Sequence, residues 1–157
     1  MQQTNTIFEA IRNQDLPAVK ELLTANPALI EETDARGSSP LLLATYYGSE
    51  PLTQYLLSLN PDLEKQDGMG NTALMGVCFK GYAPIAALLI EAGANVNATN
   101  GQQTSALSFA AMFGHLEIVN RLLEAGADPS IKDERNLGPA DHARAKGFKE
   151  IVQVLSA

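Results

Sequence analysis

His115 and His142 are the two histidines of a 157-residue chain and Cys78 is its one cysteine, so any side-chain chemistry at neutral pH would start from them. An imidazole beside a carboxylate is raw material for general base catalysis, and Asp141 stands next to His142. Adjacent residues on a helix nevertheless diverge by about 100°, and no third group is placed to act as nucleophile, so the pair does not read as a triad. The two histidines occupy different places in the chain's pattern and are not expected to converge. One cysteine cannot form an intramolecular disulfide, and with two histidines it cannot complete a four-ligand zinc site. No metal, cofactor or enzymatic activity is expected.

Other local signals also have plain readings. Gly68, Gly70 and the Asn100-Gly101 pair lack the spacing and the lysine of a phosphate loop, and tight turns already call for these residue types. Asn97-Ala98-Thr99 fits a glycosylation acceptor but reads as coincidence. The cluster Glu31, Glu32 and Asp34 reads as solvated loop charge, with a contact for a basic partner as the sharper alternative.

Eighteen acidic against 11 basic residues give a net charge of −7, which repels a phosphate backbone and argues against nucleic acid as partner. The N-terminal MQQTNTIFEAIRNQD lacks a basic start followed by an apolar run, and no stretch is long and apolar enough to span a membrane. With its single cysteine, the chain is expected to be a cytoplasmic protein of a reducing compartment.

The elements that position these residues follow from a repeat. Asp34, Asp67, Asn100 and Asp133 are spaced by 33 residues, and so are Gly48, Gly81, Gly114 and Gly147. Between the landmarks recur GSSPLLLATYYG, GNTALMGVCFKG, QTSALSFAAMFG and NLGPADHARAKG, each followed by a second apolar segment such as LTQYLLSL or IVNRLLEAG. A degenerate earlier copy, FEAIRNQDLPAVKELLTANP, matches with one extra residue in the loop before Asp34. The chain therefore divides into copies at about 1–33, 34–66, 67–99, 100–132 and 133–157, a single domain of five repeats.

Each copy reads as turn, short helix, tight loop and second helix. Ser39, Thr72 and Ser105 are helix-capping types, with Pro40 and Pro139 at the following position, where a missing N–H costs nothing. Gly48, Gly81, Gly114 and Gly147 tolerate the left-handed backbone that ends the first helix. Pro17, Pro51 and Pro84 open the second helices, and Asn26, Asn60, Gly93 and Gly126 are expected to close them in the same left-handed conformation. Helices this short are marginal alone, so Leu22 and Leu23, Leu56 and Leu57, Leu89 and Ile90, and Leu122 and Leu123 must bury themselves against neighbouring copies. Cys78 falls in register with Thr45 and Ala111 at a small position expected to be buried, where a thiol behaves as a small hydrophobe. Gly76 falls in register with Leu43, Phe109 and His142, and a neighbouring side chain such as Phe109 or Leu43 is expected to fill the space it leaves, the alternative being an open notch.

The segments DARGSSPLLLA, DGMGNTAL, EAGANVNA and GHLEIVNRLLEAGADPS resemble the ankyrin repeats. The resemblance implies an all-α solenoid of stacked helix-turn-helix units with short β-hairpin turns between repeats. It further implies a concave face of turn tips and first helices that holds a protein partner. His115 matches the family's structural Gly-His pair and Asn97 its loop-stabilising asparagine. Polar residues such as Arg12, Gln14, Lys146 and Lys149 in the first and last copies read as the outer faces of capping repeats, so the chain is expected to be a whole small solenoid.

The aromatic residues locate the binding face. Two columns at the end of the first helix, facing the concave groove in the family, hold Tyr46 and Tyr47, Phe79 and Lys80, Met112 and Phe113. Tyr, Phe and Met of this kind are enriched at the energetic centres of interfaces. The turn tips add Arg36, Met69, Gln102 and Arg135, and arginine at a rim suits carboxylates. The function expected is a non-catalytic scaffold that binds a protein as inhibitor, protector or adaptor. The alternatives are a homodimer closed by the same apolar face, and packing of the aromatics sideways between copies.

Overall fold

The computed structural model describes residues 2–157, with side chains from residue 6 onward. The described residues form five helix pairs: α1 (Gln2–Arg12) and α2 (Leu16–Ala25), α3 (Pro40–Tyr46) and α4 (Glu50–Leu57), α5 (Ala73–Lys80) and α6 (Ala83–Glu91), α7 (Ala106–Met112) and α8 (Leu116–Glu124), α9 (Pro139–Lys146) and α10 (Lys149–Leu155). The first helices stack in one layer, α1 on α3, α3 on α5, α5 on α7 and α7 on α9. The second helices from α4 to α10 form another, and the core lies between the layers.

The caps set the boundaries. The Ser39, Thr72 and Ser105 hydroxyls accept from the amides of Leu42, Met75 and Ser108, three residues into α3, α5 and α7. Before α9 the capping residue is Gly138, which has no side chain, and the Asp141 carboxylate accepts from the Gly138 amide at 2.8 Å instead. The first helices end at glycines with φ of 73°, 86°, 77° and 79° at Gly48, Gly81, Gly114 and Gly147. In the first pair Gln14 takes that role at φ 53°.

Two expectations need correction. Asn60, Gly93 and Gly126 are left-handed as expected, but Asn26 has φ −144° and leads into a 3₁₀ helix, η1 (Pro27–Glu31). Proline after Asn26 steers that residue away from a continuing helix, and η1 takes up the longer first loop while burying Leu29 against α1, α2 and α3. The turns between copies are hairpin-like in hydrogen bonding, yet among the described residues the only pairing of strand type is an isolated bridge between Thr99 and Ser105.

Glycines at the first-helix ends also serve contact between pairs. Tyr82, His115 and Phe148 lay their rings against Gly48, Gly81 and Gly114 of the preceding pair, where an added Cβ would lie 3.0, 2.5 and 2.9 Å from the nearest ring atom. The His115 ring nitrogen Nε2 also lies 3.3 Å from the Phe79 carbonyl oxygen. The structural reading of His115 is therefore borne out.

Candidate functional site

Each turn tip is built on one acidic or amide side chain. Asp34 Oδ1 accepts from the amides of Arg36 and Ser38, Asp67 Oδ1 from Met69 and Asn71, Asn100 Oδ1 from Gln102 and Thr104, and Asp133 Oδ1 from Arg135 and Leu137, all at 2.9–3.1 Å. Successive tips are stitched together: the amides of Gly68, Gly101 and Glu134 donate to the carbonyls of Arg36, Met69 and Gln102 at 3.0–3.1 Å. The side chains at these tips, Arg36, Met69, Gln102 and Arg135, are thereby held exposed along one edge.

Behind the tips the first helices end in a strip of rings. Tyr46 and Tyr47 meet edge to face with centroids 5.8 Å apart, and Lys80 Nζ stands 4.3 Å from the Tyr46 centroid. Phe79 meets Phe113 at 4.7 Å and Phe109 at 6.4 Å. The rings thus do touch across copies, yet Tyr46, Tyr47, Phe79 and Phe113 remain 40–44% exposed. Sideways packing and display to solvent coexist. Met112 and Lys80 are half-buried.

The Gly76 expectation is corrected: an added Cβ there meets nothing within 4 Å, so neither Phe109 nor Leu43 fills the space. The notch is open, and it lies in a groove of about 700 Å³ that also takes in Leu43, Tyr46, Tyr47, Met69, Phe79, Phe109 and, at the rim, Arg12, Arg36 and Gln102. Of the residues singled out in sequence, Arg36, Met69, Gln102, Tyr46, Tyr47 and Phe79 line this groove; Lys80, Met112, Phe113 and Arg135 lie outside it. Arg12 and Phe109 were not assigned to the binding face from the sequence: Arg12, read as the outer face of a capping repeat, instead lines the groove and pairs with Asp34 at 3.8 Å, and Phe109, expected to fill the Gly76 space, lines the groove.

Besides His115, the groups from which chemistry would start, His142 and Cys78, are engaged in structure. His142 does find a carboxylate, but it is the buried Asp133 rather than Asp141, with Nε2 2.8 Å from Oδ2. A carboxylate only accepts, so Nε2 carries the proton. Burial pushes the Asp133 carboxyl up, but the Leu137 amide, the His142 ring and the Arg135 amide together hold it below the ordinary carboxylate value. Cys78 is fully buried, and desolvation pushes its thiol far up, away from reactivity. Among the described residues no group of His, Cys, Asp and Glu could hold a metal ion. Glu31 is not simply solvated charge: its Oε1 accepts from the Asp62 amide at 3.1 Å, and its Oε2 pairs with Lys65 at 3.7 Å. Asn97 works as expected, with Oδ1 accepting from the Asp128 amide at 2.7 Å and Nδ2 donating to the Gly126 carbonyl at 3.3 Å. No helix among the described residues is long and apolar enough to cross a membrane.

A family model described as ankyrin repeats (3 copies) matches residues 7–100 and again residues 60–133. No match to an individual curated protein was found. Ankyrin repeats generally mediate protein–protein interaction. The capped helix pairs, left-handed glycines, stitched turn tips and family match together place the chain in the ankyrin repeat family.

Proposed function

We propose that this chain is a non-catalytic protein-binding scaffold that holds its partner on the face of turn tips and first helices. The anchors are Tyr46, Tyr47, Phe79, Met112 and Phe113, with Lys80, and the rim is Arg36, Met69, Gln102 and Arg135. The observation that supports this reading is the exposure of Tyr46, Tyr47, Phe79 and Phe113, at 40–44% each, in one strip across three helix pairs. Exposed large apolar groups side by side are unfavourable in water unless something covers them. Whether the partner is inhibited, protected or bridged to a third protein is a matter of its own activity. A second copy of the chain could cover the same strip, because a two-fold dimer presents one patch to itself.

The test is the double variant Tyr47→Ala with Phe113→Ala. Hot-spot aromatics typically cost about 2 kcal/mol or more each on truncation. A partner retained from native lysate by the wild type should therefore be lost by the variant, with affinity down by a factor of hundreds. Melting of the isolated variant must remain close to wild type, and light scattering over a concentration series reads self-association. Unchanged retention of every captured protein, or lost retention tracking lost folding, would assign the strip to internal packing.

A further inference from the structure

We infer that the Gly76 notch is a receptor pocket for one bulky apolar side chain of a peptide segment, with an acidic residue of that segment beside it on Arg36. This rests on the binding face proposed above and names the chemistry of its occupant. The column of residues at Leu43, Gly76, Phe109 and His142 carries a side chain in every copy but one. At the exception the missing side chain is not replaced, since a Cβ on Gly76 would meet nothing within 4 Å. Buried Met75 is the chain neighbour of Gly76, and Tyr46, Phe79 and Phe109 line the same groove. The groove, at about 700 Å³, falls within the roughly 300–1,000 Å³ typical of ligand sites, which leaves room for a ring and the backbone flanking it.

Charge selects the flanking residue. The groove's two carboxylates do not pair with Arg36: Asp34 Oδ1 accepts two turn amides and its Oδ2 lies 3.8 Å from Arg12, while Asp67 Oδ1 accepts from Met69 and Asn71. Arg36 at the rim makes no ion pair among the described residues, and Lys80 sits on the Tyr46 ring rather than on a carboxylate. Taken together, the turns and first helices carry six acidic and six basic residues, so the net charge of −7 resides on the second helices, the Asp15 cap of α2 and the loops after the second helices. The binding face is thus neutral, with a free guanidinium at its rim, on a molecule that is otherwise acidic. A guanidinium in that setting favours a carboxylate over a lysine or arginine.

The probe is a phage-displayed library of random linear peptides panned against the full chain. Enriched peptides should carry Phe, Trp, Leu or Met with Asp or Glu close by. Their binding should fall at least about tenfold on Gly76→Leu, which fills the notch, and by a similar factor on Arg36→Glu. Replacing the peptide's acid by its amide should weaken binding to the wild type and make no difference to Arg36→Glu. Gly76→Ala should give an intermediate loss, and it carries the argument if Gly76→Leu melts early. Peptides that bind Gly76→Leu and Gly76→Ala as well as the wild type, basic peptides in place of acidic ones, or no enrichment would each overturn the inference. Peptides indifferent to the notch but lost by Tyr47→Ala with Phe113→Ala would overturn the pocket and leave the binding face standing. Peptides indifferent to all of these variants would overturn both.

Discussion

Two glycines with opposite surroundings separate what glycine is for in this chain. Gly81 ends α5 at φ +86°, and an added Cβ would lie 2.5 Å from His115 Cε1, so both the backbone and the ring of the next pair require it. Gly76 sits inside α5, outside the left-handed region, with nothing within 4 Å of an added Cβ, so the fold does not require it. Glycine in a helix interior costs about 0.5–1 kcal/mol relative to alanine. Gly76→Ala should therefore raise stability by about that amount in chemical denaturation, while Gly81→Ala lowers it by more than the same amount. A loss on Gly76→Ala would mean that the notch is occupied by a neighbour after all. A residue that lowers stability and leaves a gap in the binding face fits a pocket better than it fits packing.

At the scale of the helix pair, the pattern of caps and turns was legible because each signal acts through its own backbone. Ser39, Thr72 and Ser105 bond amides three residues away, and Gly48, Gly81 and Gly114 act through their own φ, so the boundaries of α3, α5 and α7 could be read from the chain. What was not legible depends on partners distant in sequence or on the filling of space. His142 takes the side chain of Asp133, nine residues back, instead of its neighbour Asp141. Gly76 stays open because of where Leu43 and Phe109 settle, which no residue count reveals. The first loop winds into η1, displacing the expected end at Asn26, because Leu29 gains a place in the core. The exposed rings were anticipated by register, with sideways packing between copies as the alternative; that Phe79 packs on Phe109 and Phe113 of the next copy while the strip stays exposed was not. The second helices supply the clearest energetic test. Leu89 in α6 is 1% exposed and belongs to the continuous core. Leu89→Ala should cost about 2–5 kcal/mol in reversible denaturation, as truncation of a buried leucine does. A cost below about 0.5 kcal/mol, the level of a surface substitution, would place the core face of α6 wrongly.

Across the whole molecule, copies are joined by two ladders running along the stack. One is the amide ladder of the turn tips; the other runs through the loops, where Glu31, Glu64 and Asn97 accept from the amides of Asp62, Asn95 and Asp128 in the next copy. A stack of this kind has stability that varies along its length, because each pair leans only on its neighbours. At the C-terminal end, three carboxyls are held below the ordinary carboxylate value. Asp128 is lowered by the Ser130 hydroxyl and amide, and Asp133 by the Leu137 amide and its companions against the opposing effect of burial. Asp141 is lowered by the Gly138 amide, likewise against burial, with help from Arg144. A carboxyl whose value is lower in the folded than in the unfolded state stabilises the fold above its unfolded value of about 3.9, and that contribution is lost as pH falls through the folded value. Amides of α9 and α10 should accordingly lose hydrogen-exchange protection as pH is lowered below about 4, after correction for the intrinsic exchange rate. Asp133→Asn should flatten this dependence. The equivalent Asn100 shows that an amide oxygen can hold the same two turn amides without a charge to titrate. Protection of α9 and α10 that is unchanged down to pH values well under the ordinary carboxylate range would mean that these three side chains do not govern the acid stability of that end, and an equally steep acid dependence in Asp133→Asn would remove Asp133 from that role.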